Sequence, residues 1–136
     1  SDVHPTTRVN EALAWCSARL SKCVAALGDL NGRTKSETPV TSRLPRRSAD
    51  QCLNARGRWI LETCEDNRLE ILNGTVYEGS SPGVFTSHQP GGEGMVDYAL
   101  FSTDFLAWLK PGDLQIIPVP REWSDHSIIA LHITFP

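Results

Sequence analysis

Two stretches of the chain carry apolar residues at helical spacing. Val9, Leu13, Cys16 and Leu20 form one stripe and predict a helix over 8–21, with Thr7 as its cap. Cys52, Ala55, Trp59, Ile60 and Thr63 form the other and predict a helix over 49–65, opened by Ser48 and Gln51 as a capping box. Between and after them lie short apolar runs bounded by turn residues. These predict strands at 22–27, 69–72, 84–87, 95–101, 114–119 and 127–135, with a short helix at 103–109. Helices and strands alternate at short range, so the expected class is α/β. No internal repeat is visible.

Two strands carry unusual patterns. In 95–101, Val96, Tyr98 and Leu100 share one face, while Met95, Asp97, Ala99 and Phe101 share the other. Asp97 is thus an acid set among apolar residues and needs a partner. In the last run, Ile129, Leu131, Ile133 and Phe135 lie on one side and Ile128, Ala130 and His132 on the other. A strand apolar on both faces expects two coverings, of which the long helices supply one.

Composition narrows the field modestly. The 136 residues fit one domain, and a 40% hydrophobic content suffices for one core. A net charge of −3 and a pI near 5.7 argue against a globally basic nucleic-acid coat, although a local basic face is compatible with them. The region 33–48 dissolves into Thr, Ser, Pro and charges, with Arg33, Lys35, Arg43, Arg46 and Arg47 outweighing Glu37. It reads either as a flexible, solvated basic loop or as a phosphate-contacting one. The Gly-rich segment 88–94 reads as a flexible loop and lacks P-loop spacing, so it is not a nucleotide cradle.

No run reaches the apolar length of a membrane span, and no signal-peptide pattern appears. Cys16, Cys23, Cys52 and Cys64 lack zinc-ligand spacing and read as buried, reduced thiols. The expected setting is therefore intracellular, nucleus or cytoplasm. Asn73-Gly74-Thr75 matches a glycosylation acceptor but is more simply a tight turn. The chain opens on Ser1 with hardly any lead-in to its first helix, as a piece of something longer would.

The chemistry concentrates in two short motifs. Gly28-Asp29-Leu30-Asn31 follows the run ending at Leu27, and Ser124-Asp125-His126 precedes the run starting at Ser127. Together they offer carboxylates, a carboxamide and an imidazole, which can hold a hard cation and move protons around a phosphate. Taken singly, the first is an Asx-type turn and the second a loop cap with a surface histidine. His88 and His132 read as ordinary loop and strand residues. Trp15, Trp59 and Trp108 read as core, and Trp123 as core or as a base-stacking platform.

The order Gly28-Asp29-Leu30-Asn31, Val96-Asp97-Tyr98, Ser124-Asp125-His126 resembles the endonuclease/exonuclease/phosphatase superfamily with its DNase I-like fold. Asn54-Ala55-Arg56-Gly57-Arg58-Trp59, Leu69-Glu70-Ile71-Leu72-Asn73-Gly74 and Val84-Phe85-Thr86 are similar to connecting segments of retroelement-type endonucleases. The resemblance covers nearly the whole chain, 1–136, but only the C-terminal half of the family's domain. It implies one half of a four-layer α/β sandwich: a single mixed sheet with helices on one face.

The resemblance also implies roles. Asp29 orients or deprotonates the attacking water, and Asn31 bonds a phosphate oxygen. His126 contacts the same phosphate, and Asp97 fixes its tautomer and raises its pKa. Asp125 lies near a Mg²⁺ site, directly or through water, with Mn²⁺ as an alternative. Apart from the resemblance, the basic character of 33–48 makes Arg33, Arg43, Arg46 and Arg47 the candidate substrate contacts. The implied activity is Mg²⁺-dependent phosphodiester hydrolysis by the full-length domain, with DNA as substrate and partner.

Departures from the pattern are equally specific. The family's N-terminal Asn and metal-binding Glu have no place among the 28 residues before Asp29, and Gly94 stands where many relatives carry Ser. This chain alone is therefore expected to hold half an active site. The missing half, or self-association through an exposed sheet face, would complete it. The alternatives are a catalytically inactive remnant acting as a nucleic-acid-binding or interaction module, and a phosphatase of the same superfamily acting on a lipid or inositol phosphate.

Overall fold

A computed structural model describes residues 8–13, 15, 24–79 and 82–135. Residues 8–13 and 15 are helical, in line with the first predicted helix, whose remainder lies outside the described residues. The strand predicted at 22–27 begins outside them too; its described part is β1 (Ala25–Asp29), which carries through to the first aspartate of the motif.

The central feature is an antiparallel sheet in the order β1, β5 (Asp97–Ser102), β2 (Leu69–Ile71). Two further antiparallel pairs flank it: β3 (Ser87–Gln89) with β4 (Gly92–Gly94), and β6 (Leu114–Ile117) with β7 (Ile128–Leu131). Helix and strand mix as an α/β chain should. The expected single mixed sheet is instead three small antiparallel ones, and the only parallel pairings among the described residues are isolated bridges, Ser48–Gly83 and Glu78–Leu114.

Both faces of β5 are buried. Tyr98 and Leu100 face the helical layer, where Leu13, Ile60, Cys64, Leu69 and Ile71 complete one core. Ala99 and Phe101 face the β6–β7 hairpin, where Leu72, Phe105 and Leu114 form a second core backed by Ile116, Ile129 and Leu131. Strand β7 turns Ile129 and Leu131 inward and leaves Ile128 half exposed, so one of its two apolar sets is the covering for β5.

The long helix, α1 (Ala55–Asn67), starts six residues later than predicted. Asn54 is its cap, with Oδ1 accepting from Gly57 N–H at 2.8 Å, and Arg68 closes it in the left-handed conformation. Ser48 and Gln51 form a local turn rather than a capping box: Asp50 N–H donates to Ser48 Oγ, and Gln51 donates to the Ser48 carbonyl. The reason is Asp50. Its carboxylate is buried and accepts from Arg33, Met95 N–H and Cys52 N–H, a tertiary role that holds the chain out of a helix. Cys52 therefore lies before the helix. Cys64 is in it, and burial pushes its thiol up to about 12. Cys16 and Cys23 lie outside the described residues.

The short helix is a 3-10 turn, Thr103–Trp108, and segment 88–94 is the β3–β4 hairpin rather than an open loop. Region 33–48 is irregular as expected but tied down. Arg46 is buried and donates to the carbonyls of Asn73 and Glu37.

Candidate functional site

The register of the central sheet brings the first two motifs together. Asp29 ends β1, Asp97 begins β5, and the two are direct cross-strand partners. Residues opposite one another in an antiparallel pair share a face, so both carboxylates emerge on one side at one rim of the sheet. Two like charges so placed are unfavourable unless something neutralises them.

That neutralising group is His126. Its segment joins the sheet system through an isolated bridge to Ser87, with His88 N–H donating to the Asp125 carbonyl at 2.7 Å and Ser127 N–H to the Thr86 carbonyl at 2.8 Å. His126 Nδ1 lies 2.8 Å from Asp97 Oδ2. Its Nε2 lies 3.8 Å from Asp29 Oδ2 and 3.9 Å from Asp125 Oδ1. The hydrogen bond to Asp97 holds the His126 pKa above its ordinary value. Partial burial opposes this, and the charges of Asp97, Asp29 and Asp125 add to the rise.

Asp97 is itself over-determined. The buried Asn73 donates to the Asp97 carbonyl at 3.0 Å and accepts from Ala99 N–H at 2.9 Å, while Thr86 Oγ1 accepts from the N–H groups of Val96 and Asp97. Asp29 is fixed locally: its Oδ1 accepts from Asn31 N–H at 2.8 Å, and Asn31 sits at φ 55°. The Asx-type turn is therefore real. It occupies one carboxylate oxygen and leaves the other toward His126.

A cavity of about 360 Å³ opens at this rim, lined by Asp29, Asn31, Arg33 and His126 together with Gln89 and Gly91–Gly94 of the β3–β4 hairpin. Asp97 lies behind His126, and Asp125 is exposed beside it. Arg33 alone of the four predicted arginines reaches this cavity. Its guanidinium is held by both oxygens of Asp50 at 2.8 and 2.7 Å, which raises its pKa. The other three are placed elsewhere. Arg43 lines a larger cavity of about 770 Å³ near Ser102 and Thr103, at the far end of β5; Arg46 is spent in the interior, and Arg47 is exposed away from the cavity. An irregular loop has no period by which a sequence could assign inward and outward positions.

Sequence reasoning missed Asn73 and Thr86, which hold the backbone beside Asp97. Asn73 reads as a turn residue, yet it is fully buried, which also removes it as a glycan acceptor. Thr86 follows an apolar pair, where a buried hydroxyl must find backbone partners, and that was the available signal. Trp123 is 77% exposed and Trp15 53%, whereas Trp59 is half-buried against the first core and Trp108 stacks edge-on with Phe105 and Phe135.

Asp29, Asp97 and His126 offer ligand atoms within 4.8 Å of one another, the one such cluster among the described residues. Within it Asp97 and His126 are engaged to each other, and Asp125, exposed beside His126, lies outside the cluster. An all-oxygen set of few carboxylates suits a hard ion that keeps several waters. No described helix is long and apolar enough to cross a membrane. No protein-family model and no curated protein matches this chain.

Proposed function

We propose that this rim is the acid/base half of a centre that hydrolyses phosphodiesters, with DNA as the favoured substrate, on half of a DNase I-like sandwich. The observation that carries the reading is the His126 dyad: one ring nitrogen bound to a nearly buried carboxylate, the other facing a cavity beside a second carboxylate. Asp97 sets the tautomer and favours the protonated ring, in which His126 Nε2–H can donate to a phosphate oxygen. The free oxygen of Asp29 is then the group that orients or deprotonates water. The Asn31 carboxamide, on the same wall, bonds a second phosphate oxygen.

The charge balance supports a metal. A phosphate about 5 Å from Asp29 or Asp125 meets a repulsion of about 3 kcal/mol from each at an effective dielectric near 20. Asp125 would help hold Mg²⁺ or Mn²⁺, which when bound would offset that repulsion and polarise the phosphate. One carboxylate makes a weak site, so the reading expects a further acidic ligand from a second segment or partner.

The test is nicking of supercoiled DNA with Mg²⁺ or Mn²⁺, by this chain alone and with a complementing N-terminal half. Metal-dependent nicking that Asp29→Ala and His126→Ala each abolish is the expected result. Undiminished nicking in either variant refutes the assignment. Absence of cleavage under every metal and complementation condition favours an inactive module of the same fold.

A further inference from the structure

His88 is a polar group near this rim that the proposed chemistry does not use. Its Nδ1 lies 2.6 Å from Glu93 Oε2, and its Nε2 lies 3.2 Å from Ser127 Oγ. Carboxylate, imidazole and hydroxyl in line resemble an activated serine, but neither Ser127 nor His88 lines the cavity, and Ser127 is buried. The chain of bonds has another consequence. Glu93 belongs to β4 and His88 to β3, while Ser127 directly follows His126. In the neutral ring, Nδ1–H donates to Glu93, and Nε2 accepts the Ser127 hydroxyl proton.

We infer that His88 is a positioning residue: it clamps the β3–β4 hairpin to the 125–127 segment and so holds His126 against Asp97. Only two backbone hydrogen bonds, His88 N–H to the Asp125 carbonyl and Ser127 N–H to the Thr86 carbonyl, otherwise secure that bridge. An isolated bridge lacks the neighbouring rungs that stabilise a ladder. The side-chain clamp supplies the missing restraint, and it also sets the distance between the hairpin wall and His126 across the cavity. The inference deepens the reading of His126 as acid/base. Its test needs no substrate, so the two can fail separately.

The experiment is NMR on the whole chain: the His126 Nδ1–H resonance, and amide exchange of residues 88 and 127, with the Leu72 amide (bonded to the Ala99 carbonyl at 2.9 Å) as a distant control. His88→Ala removes two side-chain hydrogen bonds. Exchange at 88 and 127 should quicken about 10- to 30-fold, the His126 Nδ1–H signal should broaden or vanish, and Leu72 should be unaffected. His88→Gln can still donate to Glu93 and accept from Ser127, so it should restore both readouts; Ser127→Ala serves as the second variant if His88→Ala does not fold. Unchanged exchange and an intact His126 signal in the Ala variants would overturn the inference. So would equal acceleration at Leu72, or failure of Gln to rescue.

Discussion

Gly57→Ala tests how the helix and the site loop are joined. Gly57 is in the first turn of α1, where alanine should gain about 1 kcal/mol of helix propensity. A Cβ at this position would lie 1.9 Å from the Arg33 carbonyl oxygen and 2.5 Å from its carbon. Ordinary contact begins near 3.4 Å, so the backbone would have to retreat by about 1.5 Å. That retreat breaks a reciprocal pair, Asn54 N–H to the Arg33 carbonyl at 3.1 Å and Arg33 N–H to Asn54 Oδ1 at 3.0 Å. At about 1 kcal/mol each, with about 1–3 kcal/mol for overpacking, the cost exceeds the propensity gain by about 2–4 kcal/mol. With a urea slope of about 2 kcal/mol/M, the unfolding midpoint should fall by about 1–2 M at unchanged slope. A variant as stable as the parent, or more so, would refute the close approach of α1 to the site loop.

Two further predictions concern the rim itself. Asn73→Ala leaves Ala99 N–H and the Asp97 carbonyl buried without partners; it should cost about 2–5 kcal/mol in urea unfolding, and an unchanged midpoint would contradict the buried bridge. His126 has a raised pKa in the folded state, so its contribution to stability is fully present below about pH 6.5 and is lost as pH rises through the folded value. The stability gap between the parent and His126→Gln should therefore be widest near pH 6 and shrink toward pH 9; a gap that widens with pH would reverse the sign of the argument.

How much of this was legible in the sequence depends on whether local pattern or long-range bonding decided the matter. The alternation in 95–101 placed Tyr98 and Leu100 against Ala99 and Phe101 correctly, because period-two patterning survives burial on both faces; it misplaced Met95, which precedes β5 and joins the core of Tyr98 and Leu100. The need of Asp97 for a partner was likewise a local inference, and His126 meets it. The start of the second helix was not legible: Ser48 and Gln51 have the right spacing, but the bonds of Asp50 to Arg33 and Met95 are long-range and leave no local trace. The basic loop misled for the same reason. Arg43, Arg46 and Arg47 look alike in sequence, and only the buried carbonyls of Asn73 and Glu37 single out Arg46.

The site also explains why this strand pair is so heavily pinned. Side-chain period in a strand is two, so a slip of one residue between β1 and β5 would send Asp29 and Asp97 to opposite faces, where His126 could not meet both. Nothing in the facing pairs themselves forbids that slip, since Ala25, Ala26, Leu27 and Gly28 are small or partly exposed and grip weakly. The ends of the pair are tied by Leu30 N–H to the Val96 carbonyl and by Ser102 N–H to the Val24 carbonyl, with Val24 N–H donating to Ser102 Oγ, while Asn73 and Thr86 grip the backbone of β5 beside Asp97. Residues 73 and 86 are thus at once core residues and determinants of the site. On the proposed reading, a substitution there is expected to lower activity and stability together, whereas one at Asp125, exposed and outside both cores, is expected to change activity alone.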